Sequence, residues 1–166
     1  MNLQYRTAEN HDLNEICALI SSATDAMIRE NILQWDEIYP NRDIVAYDIE
    51  NKQLTVGTEN GKIAVIYTLN QECDEGYTNG KWKYSDNSFC VVHRLCVSPE
   101  YQNKGVAKTT MQRIHNEAKK LGVTSIRLDV FSENPYALKL YKGFGFKEAG
   151  YAYWKKGKFL IMEKIL

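Results

Sequence analysis

The chain has 166 residues, one domain's length and enough to bury a real core. Lysine plus arginine equals aspartate plus glutamate at 21 each, so the formal net charge is zero and the excess basic charge of a nucleic-acid footprint is missing, although a local basic patch is not excluded. No apolar run approaches the roughly 20 residues that span a bilayer, and "MNLQYRTAENHDL" lacks the basic-then-apolar order of a leader.

Cys17, Cys73, Cys90 and Cys96 form no C-x-x-C pair and match no zinc spacing. Cys17 and Cys96 lie in apolar runs, where a free thiol acts as a small hydrophobe. The expectation is a cytoplasmic protein with reduced thiols, no metal, no membrane segment and no nucleic-acid partner.

In chain order, "LQYR" (3–6) reads as a short strand. Leu13, Ile16, Cys17, Ile20, Thr24, Met27 and Ile28 recur at spacings of three and four, which predicts an amphipathic helix. A second short helix starts after Pro40 with Asn41 as its N-cap. "LTVGTENGKIAVIYTL" predicts two strands around Asn-Gly, a pair that suits a turn with positive φ. The polar stretch 70–88 is long for a hairpin connection, and long loops are often functional.

"FCVVHRLCV" predicts a central strand covered on both faces. Ala107, Met111, Ile114, Ala118 and Leu121 make a helical stripe that stops at Gly122. "TSIRLDVF" is the next strand, and a helix follows with Pro135 at its first position. The chain ends in two strands around a tight turn at Gly157. The order β α α β β β α β α β β implies an α/β or α+β fold with a mixed sheet.

The junction "HRLCVSPEYQNKGVAKTTM" joins strand to helix through a turn. A helix start presents unpaired N–H groups and the positive end of its dipole, and Gly105 permits close approach to the backbone. With Lys104 and Lys108 beside it, this suits a phosphate or pyrophosphate; the alternative is a glycine serving only the turn. Neither a P-loop nor G-x-G-x-x-G is present, because "GFGFKE" carries Glu148 where the third glycine is needed.

"RLCVSPEYQNKGVA" resembles the acetyl-CoA signature of the GNAT acetyltransferase superfamily, an apolar strand, V-x-P and Q/R-x-x-G-x-G/A, with Ala107 at the last position. "ENPYALKLYKGFGF" resembles a second block of that family through Asn134, Ala137, Leu140, Tyr141, Gly145 and Phe146. The resemblance implies a single GNAT-like domain over residues 1–166. Its sheet would be mixed but mostly antiparallel, of about seven strands splayed between the fourth and fifth, with about four helices.

It also implies a ligand pose. The pantetheine arm would lie beside Leu95, Cys96 and Val97, hydrogen-bonded as an added strand. The pyrophosphate would rest on Gln102, Asn103, Lys104, Gly105, Val106, Ala107 and Lys108, with Asn134 both capping a helix and touching the cofactor. The implied function is acetyl transfer from acetyl-CoA to a primary amine by direct attack; the competing reading is an idle acyl-CoA-binding sensor of the same fold.

Such a reaction needs a proton acceptor for the amine, an oxyanion donor and a proton for the thiolate. Tyr141 is the candidate acid, set against a core role in the stripe Ala137, Leu140, Tyr141 and Phe144. His93 is the candidate base, set against satisfied structure or a water chain. Trp35, Glu37 and Tyr39 are candidates for binding a small-molecule or peptide amine, and Asp74 and Glu75 for attracting it; packing and a solvated loop are the alternatives. The acceptor's identity and the oligomeric state, a homodimer included, stay open.

Overall fold

The structure is a computed structural model that describes residues 2–84 and 88–166. The chain packs as two compact units, Met1–Leu69 with Arg94–Thr110 and Asn70–His93 with Met111–Leu166. All predicted helices and strands form: β1 (Gln4–Thr7), α1 (Leu13–Arg29), α2 (Arg42–Glu50), β2 (Leu54–Glu59), β3 (Lys62–Asn70), β4 (Phe89–Val97), α3 (Val106–Lys120), β5 (Ser125–Phe131), α4 (Pro135–Gly143), β6 (Lys147–Trp154) and β7 (Gly157–Ile165). The strands pair in the order β1-β2-β3-β4-β5-β7-β6, a seven-stranded mixed sheet.

In the first unit, α1 buries Ile16, Leu19, Ile20, Ala23 and Thr24; of the predicted stripe Ile16, Ile20 and Thr24 are buried, Leu13, Cys17 and Met27 are partly buried against the core, and Ile28 is 47% exposed. Ile16, Leu19, Ile20 and Ala23 join Val45, Ile49, Leu54, Val56, Ile63, Ile66 and Cys96 in one core. The first turn after α1 closes on Asn31 at φ +59°, while the amide of Ile32 returns to the Met27 carbonyl. Asn41 caps α2 as expected, its Oδ1 accepting from the Ile44 amide at 3.0 Å. Asn60 at φ +51° and Gly61 at φ +80° build the β2–β3 turn that the Asn-Gly pair announced.

In the second unit, β5 pairs antiparallel with β7 along its whole length, from Ser125↔Ile165 to Phe131↔Phe159. Its parallel register with β4 covers Phe89–Val91 against Ser125–Arg127. Asn134 Oδ1 accepts from the Ala137 amide at 3.0 Å and starts α4 one residue before Pro135.

The polar stretch after β3 is more ordered than a solvated loop. It holds a 3-10 turn at Glu75–Asn79 and packs as a strap on β6, β7 and the start of β4. Tyr77 is 3% exposed, stacks on Trp82 at 5.8 Å and donates its hydroxyl to Asp129 at 2.8 Å. The Arg127 guanidinium lies 4.2 Å from the Trp82 ring and 3.9 Å from the Phe89 ring, so aromatic faces cover a buried cation. Residues 85–87 of the predicted loop fall outside the described residues. Among the described residues, no helix is long and apolar enough to cross a membrane.

Candidate functional site

The first unit carries the strand–turn–helix junction. β4 ends at Val97, Pro99–Tyr101 make a 3-10 turn, and α3 begins at Val106. Asn103 at φ +59° and Gly105 at φ +80° place two left-handed residues just before that helix. Alternating hands of this kind turn successive N–H groups toward one side, the geometry of an anion nest. A Cβ built at Gly105 meets no atom within 4 Å, so the backbone there faces open space. The first helical bond of α3 runs from the Thr109 amide to the Gly105 carbonyl at 3.0 Å, so the amides of Val106 to Lys108 precede it.

The side chains around this cradle are partly committed. Lys104 Nζ donates to the Glu100 carbonyl at 2.7 Å and lies 5.5 Å from the Tyr101 ring. Gln102 Nε2 donates to the Val97 carbonyl at 3.3 Å. Lys104 therefore braces the loop, and the backbone, with the exposed Lys108 nearby in sequence, is the larger part of any anion site here. Ala107, at the variable last position of the signature, is half-buried, and Val106 is buried. Behind them Thr110 Oγ1 donates to the Val106 carbonyl at 2.8 Å and meets Tyr5 Oη at 2.9 Å.

Leu95 and Val97 are half-buried on β4, and Cys96 points into the core. Burial pushes the Cys96 thiol up to about 12. Cys90 is also pushed up to about 12, first by burial and then by the Glu117 charge. Neither forms a thiolate readily.

Arg94, between His93 and Leu95, is a feature the sequence did not single out. Its φ is +53°, a left-handed turn inside a strand, which is strained for a residue other than glycine. Its Nε and Nη2 donate to Asp48 at 2.8 and 2.7 Å, and Thr68 Oγ1 donates to the same carboxylate at 2.8 Å. Arg94 Nη1 donates to Tyr39 Oη at 3.2 Å. Burial lowers the Arg94 pKa, but Tyr39 and Asp48 outweigh it and leave the group above its ordinary value.

Of the acceptor candidates, Trp35 is 8% exposed within the core, while Glu37 and Tyr39 reach solvent. Asp36 Oδ1 shapes their loop by accepting from the amides of Ile38 and Tyr39 at 2.9 and 3.0 Å. In the second unit, Asp74 accepts from the Gly76 amide at 3.1 Å and from Trp154 Nε1 at 3.0 Å, so it caps the strap's 3-10 turn. Glu75 is exposed beside it.

The second unit also holds His93, Asn134 and Tyr141. His93 is half-buried, with Nε2 2.9 Å from Asn70 Oδ1 and 3.1 Å from the Glu72 carbonyl. Tyr141 is 8% exposed on α4, its ring 5.8 Å from Phe146 and tilted by 59°. Asn134 is buried and serves the cap. Sequence reasoning missed Asn70, Glu72, Asp48 and Arg94, because their partners lie 21 to 46 residues away. Among the described residues, no group of three or more His, Cys, Asp and Glu is placed to hold a metal ion.

Three likenesses to known proteins agree with this architecture. The ribosomal protein bS18-alanine N-acetyltransferase of Escherichia coli strain K12 is 28% identical over 92 residues, 55% of this chain and 53% of that protein. The chain thus spans about half the length of this curated relative. A GNAT-family acetyltransferase from Streptococcus agalactiae 2603 superposes with a TM-score of 0.86 at 25% identity, covering 99% of this chain and 95% of that one. PaiA N-acetyltransferase from Thermoplasma acidophilum, solved in complex with coenzyme A, shares the fold with a TM-score of 0.75 at 19% identity and full coverage, 100% of each chain. The model of the "Acetyltransferase (GNAT) family" matches residues 25–146, which include both motif blocks, and on that match the chain belongs to the GNAT acetyltransferase family.

Proposed function

We propose that the chain is an N-acetyltransferase that moves the acetyl group of acetyl-CoA to a primary amine by direct attack. One observation carries the reading: the cradle at 103–108, with left-handed residues at Asn103 and Gly105 opening onto the first turn of α3, in a chain of this family. Such a cradle matches a pyrophosphate in charge and in donor geometry. Gln102 to Lys108 would hold the diphosphate, and Leu95, Cys96 and Val97 the pantetheine amides through their backbone. Asn134 would add a side-chain contact to the cofactor.

The chemistry needs no protein nucleophile. An alkylamine with a pKa near ~10 is mostly protonated at neutral pH, so it must first give up a proton, for which His93 is the proposed acceptor. The neutral nitrogen adds to the thioester carbonyl, and a backbone N–H near Cys96 would receive the oxyanion. Addition forms the C–N bond, the nitrogen of the tetrahedral intermediate gives up its second proton to solvent, and collapse breaks the C–S bond. The Tyr141 phenol would protonate the departing thiolate and regain its proton from solvent.

The acceptor is an amine reached from the Glu37–Tyr39 loop. Small amines, polyamines, antibiotics and protein N-termini all remain in its class, and the bS18-alanine relative makes an N-terminal alanine peptide a worthwhile member of a test panel. The test is thiol release from acetyl-CoA with such a panel. Amine-dependent release is expected. Tight binding without release for any amine would instead support an acyl-CoA sensor.

A further inference from the structure

The cradle has a support that begins on the edge strand β1. Tyr5 sits opposite Gly57 of β2. A Cβ built at Gly57 would meet the Tyr5 ring at 2.7 Å, so the absent side chain is what lets the ring lie across β2. The ring carries its hydroxyl to Thr110, 105 residues along the chain, with 2.9 Å between Tyr5 Oη and Thr110 Oγ1. Thr110 is 0% exposed and lies about one turn into α3. Its Oγ1 is also 2.8 Å from the Val106 carbonyl, which can only accept. Thr110 has one hydroxyl proton and gives it to that carbonyl, so toward Tyr5 its oxygen accepts and Tyr5 donates. The bonds therefore run in one direction, from Tyr5 through Thr110 to the Val106 carbonyl, and all three residues belong to the first unit.

The Val106 carbonyl and the Ala107 N–H are two ends of one peptide unit. Resonance couples them, so a hydrogen bond to the oxygen draws density from the nitrogen and makes the N–H a stronger donor. The Ala107 amide precedes the first helical bond of α3 and is one of the donors the cradle would offer. We propose that Tyr5 and Thr110 are positioning residues that fix the first turn of α3 and strengthen the Ala107 N–H toward a diphosphate. This rests on the reading of 103–108 as the diphosphate site. Each side chain acts through the backbone. Lys104 is committed to the Glu100 carbonyl, so backbone donors carry the larger part of the anion's binding, and a bond that strengthens one of them bears directly on affinity.

The test uses the full chain and two ligands: acetyl-CoA, and S-acetylpantetheine, which has the thioester arm without the diphosphate. Binding is followed by calorimetry and, for the weaker ligand, by NMR titration. Tyr5→Phe keeps the ring over Gly57 and Thr110→Val keeps the buried shape. Each should weaken acetyl-CoA about fivefold, the size of one hydrogen bond, and leave S-acetylpantetheine unchanged. Thr110→Ser keeps the hydroxyl and should retain the parental affinity. Tyr5→Phe should cost nothing further in the Thr110→Val background. In the unliganded protein the Val106 carbonyl carbon-13 and Ala107 nitrogen-15 signals should both move upfield, more in Thr110→Val than in Tyr5→Phe. Should Thr110→Val fail to fold, Tyr5→Phe with the two ligands decides the matter alone. Unchanged acetyl-CoA affinity in Tyr5→Phe, or an equal loss for both ligands, would overturn the inference. Gly105→Asp separates the two levels. A loss there beside an unaffected Tyr5→Phe removes the relay only, whereas unchanged affinity in both removes the diphosphate reading as well.

Discussion

Asp48→Ala tests how the irregular part of β4 is held. Asp48 is 1% exposed and accepts two hydrogen bonds from Arg94 and one from Thr68, which is itself 0% exposed. The Arg94 side chain is only 10% exposed. The substitution strands a buried guanidinium and a buried hydroxyl together. Breaking a buried pair by removing one partner costs about 3–5 kcal/mol. The orphaned Thr68 overlaps with that figure, so the expected loss is about 4 kcal/mol in total. Against a typical stability of about 5–15 kcal/mol this is a large fraction.

For a chain of this size each kcal/mol moves Tm by about 2–4 °C, so Tm should fall by about 8–16 °C, with a matching drop in the urea midpoint. A companion variant isolates the backbone. Arg94→Gly and Arg94→Ala both strand the carboxylate, but glycine relieves the left-handed φ of +53° and should be the more stable by about 1 kcal/mol. A loss below about 1 kcal/mol in Asp48→Ala would show the pair to be screened like a surface bridge and would refute the reasoning.

Gly105→Asp should weaken acetyl-CoA binding at least about tenfold by calorimetry, since it sets a side chain and a negative charge at the open face of the cradle. Unchanged affinity would place the phosphates elsewhere. Tyr141→Phe should lower kcat about a hundredfold with cofactor affinity nearly intact; wild-type turnover would assign the ring to packing on Phe146. Asp12 is depressed below its ordinary 3.8, first by the Arg6 hydrogen bond, then against burial and with help from the Glu9 amide. Its contribution to stability is present above 3.8 and is lost as pH falls through the lower folded value. Acid denaturation followed by circular dichroism should therefore be shallower below pH about 4 in Asp12→Asn.

Most of the fold was legible because it is local. The helices repeat apolar residues at three and four, and their ends carry Asn41, Asn134, Pro135 and Gly122, each acting where its chemistry is strongest. The cradle was legible for the same reason: it depends on one glycine beside one helix start. The strap was not. Tyr77, Trp82 and Asp129 give no periodic signal, and the strap's polar composition conceals two rings that find partners on distant strands. Arg94 was invisible for a further reason. Nothing in "VVHRLCV" predicts a left-handed residue mid-strand, because the conformation is held by Asp48, 46 residues away. His93 stood out by residue type, but its contact with Asn70, 23 residues away, did not.

The run that carries the proposed cradle is where the backbone departs from regularity. Arg94, Asn103 and Gly105 all have positive φ, and they bracket the run from the middle of β4 to the start of α3. A regular strand alternates its side chains and pairs its amides along the ladder, leaving nothing for a ligand. A left-handed residue interrupts that alternation, and two more ahead of a helix turn its amides outward. At Arg94 the departure is costly and persists only when its surroundings hold it, whereas glycine adopts it without strain. Here Asp48 and Thr68 brace the first, and Lys104 and Gln102 brace the loop containing the others. In the proposed direct attack the substrate supplies the nucleophile, so the reaction needs no reactive cysteine or serine. It needs donors and a proton acceptor held still, and the buried polar bonds around these irregular residues are what would hold them.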